Sequence, residues 1–151
     1  MLLNQIQDNT LYFGCRSATK DQHYAIEWEN HVKFDGLKYR LAASRDGPEG
    51  VQRTYVQHLM EQDADHIWDV VGRRNGWIYI SGCSQLRRVN GMVRFFTNSY
   101  ILLRSSNKMP MAVRAAIKNA AMKIGGILDK EAADFLYSME QSGRLFEETW
   151  S

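Results

Sequence analysis

The run LKYRLAA (Leu37–Ala43) passes directly into SRDGPEGVQRTYVQH (Ser44–His58), and this junction decides the fold. The first stretch is strand-like. The second is a polar loop, placed where an α/β sheet presents its strand ends to a ligand. That loop sets a hydroxyl (Ser44), two guanidinium groups (Arg45 and Arg53) and a phenol (Tyr55) within a short span. Two fixed cations beside small donors suit a dianionic phosphate, because guanidinium forks make charge-assisted, often bidentate bonds to its oxygens. A tyrosine ring can stack on an adenine. Together these groups would select a nucleotide carrying an extra phosphate, as NADP does. The same composition also fits a solvated polar loop, so the flanking sequence has to decide.

Working outward, Leu11 to Gly14 is a short apolar run ended by glycine, a buried-strand signature. Thr19 with Gln22 three residues later reads as a capping box opening a helix through about His31. Tyr55 to about Val71 is predicted helical, with Leu59, Ile67, Trp68 and Val71 on its apolar face. Trp77 to Ser81 (WIYIS) is a third strand, followed by Gly82. Met109 to Ile124 is a helix with Pro110 in its first turn and Gly125-Gly126 as its stop. Asp129 is expected to cap a last helix to about Gln141, and Gly143 to release a short tail. Strands alternating with helices imply a Rossmann-like parallel α/β sheet in one domain.

The bulk composition narrows the function class. With 151 residues, 44% hydrophobic and 24% charged, the chain has enough material for a real core. No apolar run approaches the ~20 residues of a membrane span. Two cysteines, Cys15 and Cys83, make no disulfide framework, so a cytoplasmic setting is expected. The four histidines lack metal-ligand spacing, and no metal site is expected. The net charge of +2 has a local origin. Cys83 to Arg104 holds four arginines and no acid, and removing those four from the 19 basic residues leaves 15 against 17 acidic ones. A nucleic-acid-binding face spread over the fold is therefore not expected.

Four elements now stand in order: LYFGCR (Leu11–Arg16), SR…RTYVQH (Ser44–His58), WIYISG (Trp77–Gly82) and ETWS (Glu148–Ser151). Their order and spacing resemble the NADPH-binding end of the diflavin reductases, a branch of the ferredoxin–NADP reductase superfamily. SSNKMP (Ser105–Pro110) and the serine in WIYISG bring the resemblance closest to the diflavin oxidoreductases of cytosolic iron–sulfur protein assembly, particularly the fungal forms. The resemblance implies that Ser44, Arg45, Arg53 and Tyr55 hold the 2′-phosphate and adenine, with Thr54, Val56 and Gln57 in the same stretch. It implies that Arg16 reaches the nucleotide's phosphates, with Gly14 and Cys15 allowing close approach; Cys15 also fits the role of a small buried filler. Trp150 matches a terminal aromatic that stacks on the FAD isoalloxazine, and Glu148 an acid that helps organise hydride transfer. The resemblance also implies that Gly82 closes the third strand beside the nicotinamide.

The departures are as informative. Many relatives place a cysteine where this chain has Ser81, and an acid where it has Ala112. Relatives also begin this domain with a strand and a GxGTGxAP-like loop that holds the pyrophosphate on backbone N–H groups. Nothing of that kind precedes LYFGCR, so the expectation is a domain short of its first strand, with an exposed sheet edge. Cys83 to Arg104 separates motifs that relatives run together. It reads as a surface insertion, as an amphipathic membrane- or acid-binding segment, or as the translation of an unspliced intron. The clean rejoining of its flanks favours the third.

What the resemblance implies is an NADP-binding domain that passes hydride from NADPH to FAD, with electrons continuing through FMN to an iron–sulfur acceptor protein. Its partners would be NADPH and the FAD domain of the parent enzyme. A different reading is a catalytically silent fragment or protein-interaction module without flavin. Nucleic-acid binding through the basic insertion would instead show a steep salt dependence.

Overall fold

The computed structural model describes residues 9–19, 25–47, 53–81, 100–104 and 109–148. Among the described residues, five parallel strands form one sheet: β1 (Thr10–Cys15), β2 (Lys38–Ala43), β3 (Trp77–Ser81), β4 (Tyr100–Arg104) and β5 (Leu145–Glu148). Their spatial order is β2-β1-β4-β3-β5. The helices are α1 (Ala25–Asp35), α2 (Val56–Gln62), α3 (Ala64–Trp68), α4 (Met109–Lys123) and α5 (Asp129–Gln141), with a π-helical turn over Asp69–Arg73. The expected Rossmann-like parallel sheet is the observed architecture. No helix among the described residues is long and apolar enough to cross a membrane.

The period-2 alternation of the strands divides the core between two faces. Tyr12, Ala42, Ile78 and Ile80 turn to the face covered by α2 to α5, where they meet Val56, Ile67, Val113 and Ile117. Leu11 and Phe13 turn to the other face and pack with Trp28 of α1 and with Leu37. A parallel sheet is stable only when helices cover it in this way, because strand crossovers lay them on its faces.

Several expectations are corrected. The first helix runs past His31 to Asp35, where Gly36 adopts φ +68° and lets the Leu37 N–H bond back to His31 O at 3.2 Å. Thr19 lies in a turn and its hydroxyl meets that of Ser17 at 3.1 Å, while Gln22 lies outside the described residues. The helix expected over Tyr55–Val71 breaks at Asp63 (φ −96°, ψ 23°). There the carboxylate accepts from Tyr12 Oη at 2.8 Å and from Arg40 Nε at 3.0 Å, bonds to the sheet that an uninterrupted helix periodicity does not reveal. Asp129 is the first residue of α5 rather than its cap. The cap is Leu128, whose N–H is bound by Glu131 Oε2 at 3.0 Å, and Asp129 pairs with Lys118 at 2.8 Å. The tail after Gly143 includes β5, paired to β3.

The end of the segment that stands between the motifs lies inside the sheet. Tyr100–Arg104 is the middle strand of the sheet, paired with β1 on one side and β3 on the other. Neither a surface loop nor a peripheral amphipathic segment describes those five residues. The open edge expected from a lacking strand is not found beside β1, because β4 fills that place. Residues 82–99 lie outside the described residues.

Candidate nucleotide-binding site

All five strands point the same way, so their carboxyl ends share one edge of the molecule. β1 ends at Cys15 with Arg16 next, and β2 ends at Ala43 with Ser44 and Arg45 next. Two backbone bonds hold these exits side by side beyond the strands: Ser44 N–H to Cys15 O at 2.9 Å and Arg45 N–H to Arg16 O at 2.8 Å. The Asp46 carboxylate then accepts from the Ala18 N–H at 2.8 Å, tying the second loop to the first. Arg16 and Arg45 are exposed, and Ser44, Gly14 and Cys15 are half-buried.

The loop from β2 reaches α2 at Tyr55, which caps the helix in an extended conformation (φ −120°, ψ 165°). His58 Nδ1 accepts from the Tyr55 N–H at 3.1 Å, satisfying an amide that α2 cannot. The two rings lie 5.6 Å apart at 56°, leaving Tyr55 39% exposed. Arg53 and Thr54 are exposed beside it and Gln57 is half-buried. Val56 is 1% exposed and packed into the core, so its side chain secures the helix and only its backbone belongs to the strand-end surface.

On the other side of the edge, Ser81 ends β3 and Glu148 ends β5, and the two are register partners. Glu147 anchors β5 from the opposite face by pairing with Arg114 of α4, which also meets Glu140 of α5 at 2.7 Å. Burial alone would lower the Arg114 guanidinium, but its bonds to Glu147 and Glu140 outweigh that and hold it above its ordinary value. Gly82 and Trp150 lie outside the described residues.

Thus Arg16, Ser44 and Arg45 are brought together at one end of the edge, and Ser81 and Glu148 at the other. Asp46, His58 and Arg114 were not singled out in the sequence. His58 stands three residues after Tyr55, a capping-box spacing filled by an unusual residue. Asp46 and Arg114 carry no local signal, since their partners are remote in sequence.

A doubly wound parallel sheet with cationic loops at its carboxyl edge has the Rossmann-like architecture. No protein-family model matches the chain. It is 32% identical over 143 residues to NADPH-dependent diflavin oxidoreductase 1 of Danio rerio, covering 95% of this chain and 20% of that protein. The protein of the same name from Cryptococcus neoformans is 33% identical over 146 residues, covering 95% of this chain and 19% of that protein. NADPH–cytochrome P450 reductase of Drosophila melanogaster is 32% identical over 146 residues, covering 97% and 18% respectively. The chain is thus similar along nearly its whole length to one part of the diflavin oxidoreductases. It spans about a fifth of the length of the curated relatives it matches.

Proposed function

We propose that this chain is the NADP-binding part of a diflavin reductase, holding NADPH so that hydride passes to FAD. Electrons would continue through FMN to an iron–sulfur protein acceptor in the cytoplasm. The observation that supports this most is the pairing of the β1 and β2 exits, which presents exposed Arg16 and Arg45 from adjacent loops. A 2′-phosphate needs converging fixed cations, and guanidinium groups supply charge together with directed donors. Tyr55 offers a partly exposed ring for adenine near the same loop's end.

The exposed arginines suit the phosphates of NADP. A bound flavin would supply the hydride acceptor, and the residues assigned to face it are Ser81, Glu148 and Trp150. The work of this chain is to orient the nicotinamide and to prefer NADPH over NADH.

Calorimetric titration of the purified chain with 2′-phospho-AMP and with AMP tests the reading. The expected preference for the phosphorylated ligand is at least about tenfold, and Arg45→Ala abolishes it. Equal affinity for the two ligands, or an equal loss of both in Arg45→Ala, rejects the phosphate assignment.

A further inference from the structure

The loops that leave β1 and β2 are joined at a third point, and there the link is a side chain. Ser44 and Arg45 continue the strand pairing by backbone bonds to Cys15 and Arg16. Beyond them the first loop turns through Ala18 and Thr19, where the Ser17 and Thr19 hydroxyls lie 3.1 Å apart. The Ala18 N–H donates to the Asp46 carboxylate at 2.8 Å, a bond between residues 28 positions apart. Consecutive residues of the second loop, Ser44, Arg45 and Asp46, are thereby fastened to the first. Arg16 and Arg45 lie between the outer two fastenings.

On charge alone, an acid at this place opposes the ligand. Asp46 adjoins Arg45 in the chain and is exposed on the same loop. Its negative charge repels the phosphate dianion that the two guanidinium groups would attract. What the carboxylate supplies against that is the bond, since an ionised acceptor holds a backbone N–H more strongly than a neutral one.

We propose that Asp46 is a positioning residue for the phosphate site, a latch that holds the first loop against the second and keeps Arg16 and Arg45 on one surface. This rests on the NADP-binding reading above. Each guanidinium hangs on a flexible stem, so the loop beneath it is the part that the fold can hold still. Without the latch, the first loop beyond Arg16 loses its tie to the second, and ordering both becomes a cost of binding. The latch therefore strengthens phosphate binding in spite of its charge. The two effects of Asp46 have opposite signs, which makes them separable.

Calorimetric titration of the purified chain and its Asp46→Ala and Asp46→Asn variants with 2′-phospho-AMP and with AMP separates them. Alanine removes charge and acceptor together, whereas asparagine removes the charge and keeps an acceptor oxygen at the same place. Asp46→Ala should bind 2′-phospho-AMP about three- to tenfold more weakly and lower its preference over AMP. Asp46→Asn should bind it at least as tightly as the parent. Urea midpoints of all three chains should agree, because the bond lies at the exposed surface. Binding of 2′-phospho-AMP by Asp46→Ala that is tighter, or unchanged within about twofold, overturns the proposal, because charge alone would then describe the residue. Equal weakening in the two variants also overturns it. So does an equal loss of both ligands in Asp46→Ala, the mark of a merely structural residue. In each of these cases a parent chain that prefers 2′-phospho-AMP leaves the NADP reading standing. A parent without that preference rejects the NADP reading, and this inference with it.

Discussion

The amide of Arg45 donates to the carbonyl of Arg16 at 2.8 Å, so two loops from strands adjacent in space leave the sheet as a bonded pair. The bond uses only backbone atoms, leaving both side chains exposed above it. The preorganisation of the candidate site therefore comes from the sheet, and substitutions of either arginine should change ligand affinity with little effect on stability.

Tyr55 supplies a test at the adenine end. Its ring is held near His58 and is 39% exposed, with its backbone N–H bound to the histidine. Tyr55→Phe should keep 2′-phospho-AMP affinity within about twofold, while Tyr55→Ala should lose about 1–3 kcal/mol of binding. Calorimetry of the two variants decides; equal behaviour would remove the stacking role.

The break between α2 and α3 is fastened by Asp63. Tyr12 is fully buried, and its hydroxyl donates to that carboxylate at 2.8 Å. Asp63→Ala should cost about 1–3 kcal/mol, chiefly through the stranded phenol, and Tyr12→Phe about 1 kcal/mol. Urea unfolding of both single variants and the double variant measures the coupling. Strict additivity would show that the bond contributes nothing.

Trp68 is packed against two glycines. A Cβ on Gly125 would fall 2.7 Å from the Trp68 ring and 2.5 Å from the Ala121 carbonyl, and one on Gly72 would fall 2.5 Å from the ring. Gly125→Ala should destabilise by about 1–3 kcal/mol, more than Gly72→Ala, since a backbone oxygen cannot turn aside. Gly47→Ala, with nothing within 4 Å, should stay within about 0.5 kcal/mol of the parent. Denaturation midpoints test the ranking.

At the opposite end of the sheet, Arg144 donates to Val71 O at 2.6 Å and to Gly76 O at 3.3 Å. Burial lowers its affinity for a proton, and the two carbonyls are the acceptors it meets there. Arg144→Met keeps much of the apolar stem and loses the donors, and should cost about 1–3 kcal/mol. Amide exchange should quicken first around the π-helical turn; uniform quickening across the chain would contradict a local cap.

The parts of the fold legible in sequence are those whose signals are local. LYFG, KYRLAA and WIYIS announce strands by residue type, and Val113, Ile117 and Ala120 announce α4 by period. YILLR has the same strand character as WIYIS, yet it closes a segment foreign to the family motifs, and its pairing with β1 joins residues about 90 apart in sequence. LFEE was hidden for a different reason. Its first acid, Glu147, is half-buried and paired with Arg114, a compensation made by tertiary structure alone. In the candidate site, the side-chain chemistry of Ser44–Tyr55 was legible, whereas the backbone pairing that aligns Arg16 with Arg45 was not.

The central position of β4 also bears on how the molecule assembles. Both of its neighbours, β1 and β3, precede it in the chain, so during synthesis the β1–β2 pair and the single strand β3 emerge before the strand that joins them. Until Tyr100–Arg104 is available, β1 and β3 each present an unpaired flank with bonding groups open to other chains. Closure of the sheet is thus a late event governed by five residues. The yield of native protein should depend on β4 more than on either outer strand.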